Sequence, residues 1–319
     1  MIQVSGLKRS FGNFVAVRNV SFVIEPGKGV TALLGPNGAG KTTTMRMMTG
    51  YLQPDSGSVE IAGIRSDSEE GRLAIKSKIG YLPENTPLYP EMLVSEYLEF
   101  MGRIRGLDGD VLEQAALRMI EDLELGSHFY SPIGILSRGF RQRVGLAGAL
   151  IHDPSVIILD EPTGGLDPNQ IEQIRALIRK LATERTVLLS THILQEVEDI
   201  CERVIIMNGG EVVADQRTNE LQRSESIHIT LRHPHKTVLQ MKSDLESMEM
   251  VESAVFAANE SGAHESTESA GVQFHIAELQ CSGAPEALLA RLVQSSYEIR
   301  SFYPGHRSLQ EIFQELTHQ

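Results

Sequence analysis

The segment of residues 30–43, which reads VTALLGPNGAGKTT, constrains the fold of this chain more than any other. It combines an apolar run typical of a buried strand, a glycine-rich turn and the start of a helix, and it fits the pattern G-x-x-x-x-G-K-[ST] in the context that this pattern requires. Gly35, Gly38 and Gly40 allow positive φ angles and close backbone approach, so successive amide N–H groups can point at a polyphosphate. A glycine turn that binds nothing is the alternative, and the agreement of strand, spacing, lysine and threonine argues against it.

The predicted helix begins near Lys41 and presents its positive N-terminal end to the same turn. Lys41 is expected to reach the β and γ phosphates as a point charge, and the Thr42 hydroxyl is expected to be an oxygen ligand of Mg²⁺. The sequence therefore predicts a site for a nucleoside triphosphate and Mg²⁺ at the end of this strand.

Two further apolar runs end in polar side chains that suit the same site. Residues 156–159 predict a parallel strand buried on both faces, and Asp160 and Glu161 follow at once. At such a strand end, where open α/β sheets bind ligands, Asp160 is expected to hold Mg²⁺ through water, and Glu161 to orient or deprotonate an attacking water. Residues 186–190 repeat the pattern and lead to His192, which is expected to donate to a γ-phosphate. A carboxylate that caps the next turn and a structurally satisfied histidine are the alternatives.

Composition limits the possible partners. The chain has 42 acidic and 29 basic residues and a net charge of −13. Such a surface repels the phosphates of nucleic acids, so no nucleic-acid partner is expected. No apolar run approaches the length of a bilayer span, and the N-terminus lacks a charged segment followed by an apolar core and a cleavage site. We therefore expect a cytoplasmic protein.

The remaining segments predict three further parts. Residues 1–28 carry short alternating runs broken by turns, which indicate antiparallel strands, and Phe11 lies in one turn, where its ring can stack on a base or pack in the core. Residues 87–122 have helical periodicity and predict a helical insert, and Ser137 is placed to cap an apolar helix. Residues 223–319 predict a β-α-β-β-α-β order, which suggests a small ferredoxin-like accessory domain after a first domain of residues 1–222.

Taken in order, these motifs resemble the nucleotide-binding subunit of an ATP-binding cassette (ABC) transporter over residues 1 to about 220. Residues 35–43 resemble the Walker A segment, 156–161 the Walker B segment, 164–167 the D-loop, 136–140 the signature and His192 the switch histidine. The resemblance implies an α/β P-loop NTPase fold with a RecA-like core, an antiparallel β subdomain and an α-helical subdomain at about residues 87–150. It assigns nucleotide contacts to Phe11, Gly35, Asn37, Gly38, Gly40, Lys41, Thr42, Thr43, Ser137, Gly139 and Asp167.

Two positions depart from the family pattern. The signature reads LSRGF, with Arg138 and Phe140 where the family has glycine and glutamine, and the glutamine of the Q-loop falls at Glu84. A glutamate retains an oxygen for Mg²⁺ or its water, so Glu84 joins Thr42 among the metal ligands that the resemblance implies. The Leu-Pro-Glu-Asn sequence and the LS-basic-G-aromatic signature resemble those of ABC-2 type exporters, including the gliding-motility branch.

The resemblance also implies a mechanism and partners. Two subunits, expected to be identical chains, join head to tail, and each ATP lies between the Walker A segment of one and the signature helix of the other. Lys41, Glu161 and His192 are then the catalytic residues, and hydrolysis drives an integral-membrane ABC-2 type permease on the inner face of the cell membrane. The alternatives are a non-transport ABC ATPase that acts on ribosomes or DNA, and an assembly protein that nucleotide binding regulates.

Overall fold

The computed structural model describes residues 1–233, 235–248, 251–256, 272–279 and 284–317. The contacts between residues divide the chain into two compact units. The first runs from Met1 to Thr218 and includes the end of the chain from Phe313, and the second runs from Asn219 to Ile312. Among the helices within the described ranges, none combines the length and the apolar character needed to cross a lipid bilayer.

The first unit alternates strands and helices after an initial hairpin. Its strands are β1 (Ile2–Phe11), β2 (Phe14–Ile24), β3 (Val30–Leu34), β4 (Ser56–Ile61), β5 (Ile64–Arg65), β6 (Ile79–Leu82), β7 (Val156–Asp160), β8 (Thr186–Thr191), β9 (Arg203–Asn208) and β10 (Glu211–Arg217). Its helices are α1 (Lys41–Met48), α2 (Glu69–Lys78), α3 (Val94–Ile104), α4 (Gly109–Asp122), α5 (Arg138–Leu150), α6 (Pro168–Ala182) and α7 (Leu194–Ile200). Short 3₁₀ turns at Gly126–His128 and Ile133–Ile135 precede α5.

A six-stranded sheet in the order β10-β9-β3-β8-β7-β6 carries the predicted site. Its strands are parallel except for β10, which pairs antiparallel with β9. Every residue of β3, β7 and β8 is buried, as expected of parallel strands that are covered on both faces. Because β8 lies between β3 and β7, the carboxyl ends of these three strands meet at one edge of the sheet. The loops that follow them therefore lie side by side.

The predicted antiparallel subdomain is a second sheet in the order β2-β1-β4-β5. Its apolar side chains form one buried cluster with those of α1 and the six-stranded sheet. Met45 and Met48 of α1 are fully buried in this cluster, where flexible thioether side chains fill irregular gaps. Removing this apolar surface from water holds α1, and therefore the turn before it, against both sheets.

The predicted helical subdomain contains α3, α4 and α5, which contact one another. Tyr97 of α3 and Ala115 of α4 are buried, as the helical periodicity predicts. The same periodicity predicts that Leu93, Tyr97, Phe100 and Ile104 share one apolar face of the helix. Ile104 is nevertheless 61% exposed, because it is the last residue of α3 and lines a groove on the surface. Ser137 caps α5 as predicted, since its Oγ accepts a hydrogen bond from the N–H of Phe140 at 3.3 Å.

The second unit has the β-α-β-β-α-β order that the sequence predicts. After α8 (Thr218–Leu221) come β11 (Arg223–Arg232), α9 (Val238–Glu246), β12 (Val251–Phe256), β13 (Val272–Leu279), α10 (Ala284–Gln294) and β14 (Glu298–His306). The last helix, α11 (Leu309–Thr317), begins in the second unit and ends in the part of the chain from Phe313 that belongs to the first. The four strands form an antiparallel sheet in the order β12-β13-β11-β14. Ile229, Leu245 and Leu288 are fully buried in its own apolar core.

Candidate functional site

The glycine-rich turn between β3 and α1 has the backbone geometry of an anion cradle. Gly38 (φ +84°) and Gly40 (φ +99°) lie in the left-handed region that favours glycine. A Cβ on Gly40 would lie 2.6 Å from the carbonyl oxygen of Ala16, whereas a Cβ on Gly38 would meet nothing within 4 Å. The N-terminus of α1 has no side-chain cap, so its first N–H groups remain available to an anion.

Lys41 is a buried ammonium group at this helix start. Its Nζ donates to carbonyl oxygens of the turn, at 2.7 Å to that of Gly35. Burial lowers the pKa of Lys41, and the negative charges of Glu161, Asp160 and Glu84 oppose that shift. The turn, the ammonium group and three carboxylates therefore belong to one electrostatic site.

Asp160 ends β7 and presents one carboxylate oxygen without a partner. It is 1% exposed and stands opposite Ser190 of β8, whose hydroxyl donates to its Oδ1. Its Oδ2 is buried and has no hydrogen-bond partner. Because a buried oxygen of this kind is costly to leave unpaired, and because Mg²⁺ prefers oxygen ligands, Asp160 fits a divalent cation. Thr42 lines the nucleotide cleft together with Lys41 and Glu161 and offers a second oxygen.

Glu161 and His192 are paired at the ends of β7 and β8. The Nδ1 of His192 lies 2.9 Å from both carboxylate oxygens of Glu161, and a carboxylate only accepts, so Nδ1 carries the proton. Glu161 has a φ of +52°, which is uncommon for a residue with a Cβ and recurs at functional sites. Its backbone N–H donates to the carbonyl of Ser190 at 3.2 Å, which ties this conformation to β8.

Glu196 of α7 is a buried carboxylate that the sequence reasoning missed. It is 1% exposed and accepts hydrogen bonds from Thr163, in the loop after β7, and from Thr191, the last residue of β8, at 2.5 Å for Thr191. Burial raises the pKa of Glu196. Its two contacts connect the loop after Glu161 to the strand before His192. No local signal distinguishes Glu196 from the other acidic residues of α7.

A cleft of about 340 Å³ brings together nine of the predicted residues of the first unit, whereas Gly35 and Asp160 are not among the described residues that line it. Six of its lining residues, Phe14 and Arg138 among them, were not predicted as contacts. Phe11 is not among the described residues that line it; this ring is 48% exposed, pairs with Phe14 across the hairpin and lies 5.0 Å from the guanidinium of Arg9. The lining residues are Phe14, Ala16, Asn37, Gly38, Ala39, Gly40, Lys41, Thr42, Thr43, Glu84, Asn85, Arg138, Glu161, Gly164 and His192.

Three further predicted contacts lie at helix starts outside this cleft. Ser137 caps α5, and Asp167 caps α6 through a 3.0 Å hydrogen bond from the N–H of Gln170. Gly139 is buried against Gln170, where a Cβ would come within 2.5 Å of that side chain. The contacts that the resemblance assigns to these residues belong to the nucleotide of a second copy, so within one chain they remain predictions.

Comparison with known proteins identifies the family. The family model described as "ABC transporter" matches residues 17–164. The "Uncharacterized ABC transporter ATP-binding protein YxlF" of Bacillus subtilis is 34% identical over 319 residues, which cover 100% of both chains. This chain belongs to the ATP-binding proteins of ABC transporters.

Other members of the ABC family share the first unit. The Nod factor export ATP-binding protein I of Ralstonia nicotianae is 35% identical over 222 residues, 69% of this chain and 68% of that protein. Among solved structures, the dimeric bacterial ABC transporter cassette MJ0796 is 28% identical, with a TM-score of 0.62 over 68% of this chain and 98% of the cassette. These similarities confirm the predicted α/β P-loop ABC fold.

Proposed function

We propose that this ABC protein hydrolyses ATP as the energising subunit of an ABC-2 type exporter whose permease is a separate membrane protein. The observation that carries the proposal is the convergence of Lys41, Asp160, Glu161 and His192 on one edge of the six-stranded sheet. The export function named for the Ralstonia relative supports the class of transporter. On this proposal the protein works on the cytoplasmic face of the membrane.

The glycine-rich turn binds the phosphates of ATP, and the carboxylates bind Mg²⁺. Backbone N–H groups of the turn and the Lys41 ammonium bind the phosphates, which keeps the triphosphate in one orientation. Asp160 and Thr42 would hold Mg²⁺, and Glu84 lines the same cleft with a further carboxylate. When bound, the ion neutralises phosphate charge.

Glu161 and His192 divide the catalytic roles. The Glu161 carboxylate orients an attacking water and accepts its proton, as suits a carboxylate beside the phosphate cradle. The hydrogen bond from Nδ1 of His192 holds that carboxylate in place, and Nε2 donates to the γ-phosphate when both ring nitrogens carry a proton. Glu196 supports both residues by anchoring the adjoining loop and strand.

The second half of each site comes from a second copy of the chain. We infer that the N-terminal end of α5, capped by Ser137, binds the γ-phosphate of the nucleotide held by its mate, with Asp167 beside it. Helix N-terminal ends favour anions, and α5 begins without an acidic residue in its first turn. The dimeric state of the similar cassette MJ0796 supports this arrangement.

The experiment compares wild type, Glu161→Gln and Lys41→Ala in the full chain. We expect Glu161→Gln to bind ATP, to hydrolyse it at least about 100-fold more slowly and to form a dimer with ATP by light scattering. Lys41→Ala should lose nucleotide binding and remain monomeric. Turnover of Glu161→Gln near that of wild type, or an ATP-loaded variant that stays monomeric alone and beside its permease, contradicts the proposal. Absence of Mg²⁺-dependent hydrolysis by wild type with its permease favours the nucleotide-regulated assembly protein.

A surface groove of about 600 Å³ is the proposed permease contact. It is lined in part by residues of α2, α3 and β6, and one of these residues, Tyr81, lies shortly before Glu84 in the chain. Tyr51 and Ile104 leave 70% and 61% of their surfaces exposed there, and apolar surface of this kind suits an amphipathic segment of a partner. Binding in this groove would transmit movement to the site through the Glu84 loop.

A matched pair of variants tests this contact. Ile104→Asp should reduce co-purification of the permease while nucleotide binding is retained. Val111→Asp is the control, because Val111 is also 61% exposed but lies on α4 outside the groove. Equal retention of the permease by both variants contradicts the assignment of the groove.

A further inference from the structure

Arg138, the basic residue of the unusual signature, lies at the nucleotide cleft of its own chain. It is exposed at the start of α5 and lines the cleft together with Lys41 and His192. Its guanidinium lies against the loop that follows Glu161, where a Cβ on Gly165 would come within 2.3 Å of Nη1 and 2.4 Å of Cζ. A glycine at position 165 therefore makes room for the arginine.

We propose that Arg138 binds the terminal phosphate of the nucleotide held by its own chain, so that a single chain prefers ATP to ADP. This inference rests on the proposed function, because it takes the cleft to be an ATP site. It differs from that function in placing one signature residue on the nucleotide of the same chain and not on that of the mate.

The hydrogen-bonding capacity of Arg138 is unused. Within the described part of the chain, its guanidinium forms no hydrogen bond or ion pair. An arginine stays protonated and offers five N–H donors in a planar fork that matches phosphate oxygens. A guanidinium that is packed against a glycine loop and lacks an acceptor is therefore available to a phosphate group.

The charges of the cleft favour a second cationic side chain beside Lys41. Glu84 and Glu161 line it, whereas Lys41 and Arg138 are its only lysine and arginine among the described lining residues. A triphosphate adds further negative charge, and repulsion between these groups is strong where water is partly excluded. Arg138 would offset that repulsion at the point where the phosphate chain ends.

The position of Arg138 within the cleft selects the terminal phosphate. Its neighbours Glu161 and Gly164 belong to the loop after β7, and His192 follows β8. These are the residues beside which the attacking water stands in the proposed function. Phe14 and Ala16 line the cleft from β2 and are candidates to contact the base instead.

The test measures ATP and ADP affinities of the full chain without Mg²⁺, at a concentration where light scattering shows a monomer. Arg138→Gln should weaken ATP binding about tenfold and leave ADP binding unchanged, since it removes one charge-assisted phosphate contact. Arg138→Lys should restore part of the loss. Arg118→Gln is the control, because Arg118 is also an exposed arginine of the helical subdomain but does not line the cleft.

A second variant tests the packing that positions the guanidinium. Gly165→Ala should displace it and reduce the preference for ATP in wild type, yet add nothing to Arg138→Gln. Unchanged ATP affinity in Arg138→Gln, or an equal loss for ATP and ADP, overturns the proposal. The proposal is also overturned if Arg138→Gln weakens ATP binding only in the ATP-bound dimer of Glu161→Gln, because Arg138 would then contact the phosphate of the nucleotide held by the second copy. If wild type binds no ATP, the proposed function fails as well.

Discussion

His152 provides a test of how burial affects the stability of the first unit. It follows α5 and lines the proposed permease groove, with its Nε2 3.1 Å from the carbonyl oxygen of Ile79. Its Nδ1 is buried and has no hydrogen-bond partner. Burial, together with the positive charge of Arg105, lowers the pKa of His152 to about 4, although the Ile79 carbonyl and Asp153 oppose the shift.

The lowered pKa makes the free energy of unfolding dependent on pH. An unfolded histidine titrates near pH 6.5, so between pH 6.5 and 4 the unfolded chain binds a proton that the folded chain does not. The contribution of His152 is therefore fully present above pH 6.5 and is lost as the pH falls toward 4. The shift corresponds to about 3 kcal/mol at the acid end, and about 2 kcal/mol of it is already lost at pH 5.

The assay compares wild type with His152→Gln, whose amide can still donate to the Ile79 carbonyl but does not titrate. Urea unfolding at pH 7.5 and pH 5, followed by far-ultraviolet circular dichroism because the chain has no tryptophan, gives the two free energies. Wild type should lose about 2 kcal/mol more than the variant on acidification. His235→Gln, at an exposed histidine, is the control and should behave as wild type. The same loss in wild type and His152→Gln refutes the reasoning.

Three further variants test the site. Glu196→Ala leaves two buried threonine hydroxyls without their acceptor and should lower the free energy of unfolding by about 2–4 kcal/mol. Glu196→Gln keeps an acceptor and should lower it less. Equal losses of free energy in the two variants contradict the stabilising role of these hydrogen bonds. Gly40→Ala should weaken nucleotide binding more than about tenfold in fluorescence titrations, because the added Cβ meets the carbonyl oxygen of Ala16 and the positive φ is unfavourable for alanine. A variant with wild-type affinity would contradict the assignment of this turn as the phosphate-binding site. Phe14→Ala should weaken ATP and ADP binding alike, severalfold, and comparison with Phe11→Ala identifies the ring that contacts the base.

The parts of the site that the sequence predicted are those encoded by neighbours along the chain. The glycine spacing predicts positive φ or close backbone approach at Gly35, Gly38 and Gly40. Gly38 and Gly40 have positive φ, whereas Gly35 does not and instead lies close to the backbone of Met207, where a Cβ would come within 2.5 Å of the carbonyl oxygen. Continuous apolar runs predict β3 and β7, because parallel strands are buried on both faces. Ser137 before an apolar helix predicts its cap. Each of these inferences needs only a few consecutive residues.

Contacts between distant residues were decided by the tertiary structure alone. Asp160 contacts Ser190, and Glu161 contacts His192, because β7 and β8 are adjacent in the sheet. The residues of β7 and β8 do not by themselves predict that these two strands are neighbours. Glu196 acquires its buried partners from the docking of α7. Arg138 reaches the cleft through the packing of α5 against a glycine loop. The partners of a side chain depend on which helices and strands become neighbours in space. That arrangement is the one that minimises the free energy of the whole fold, so no single segment of the sequence determines it.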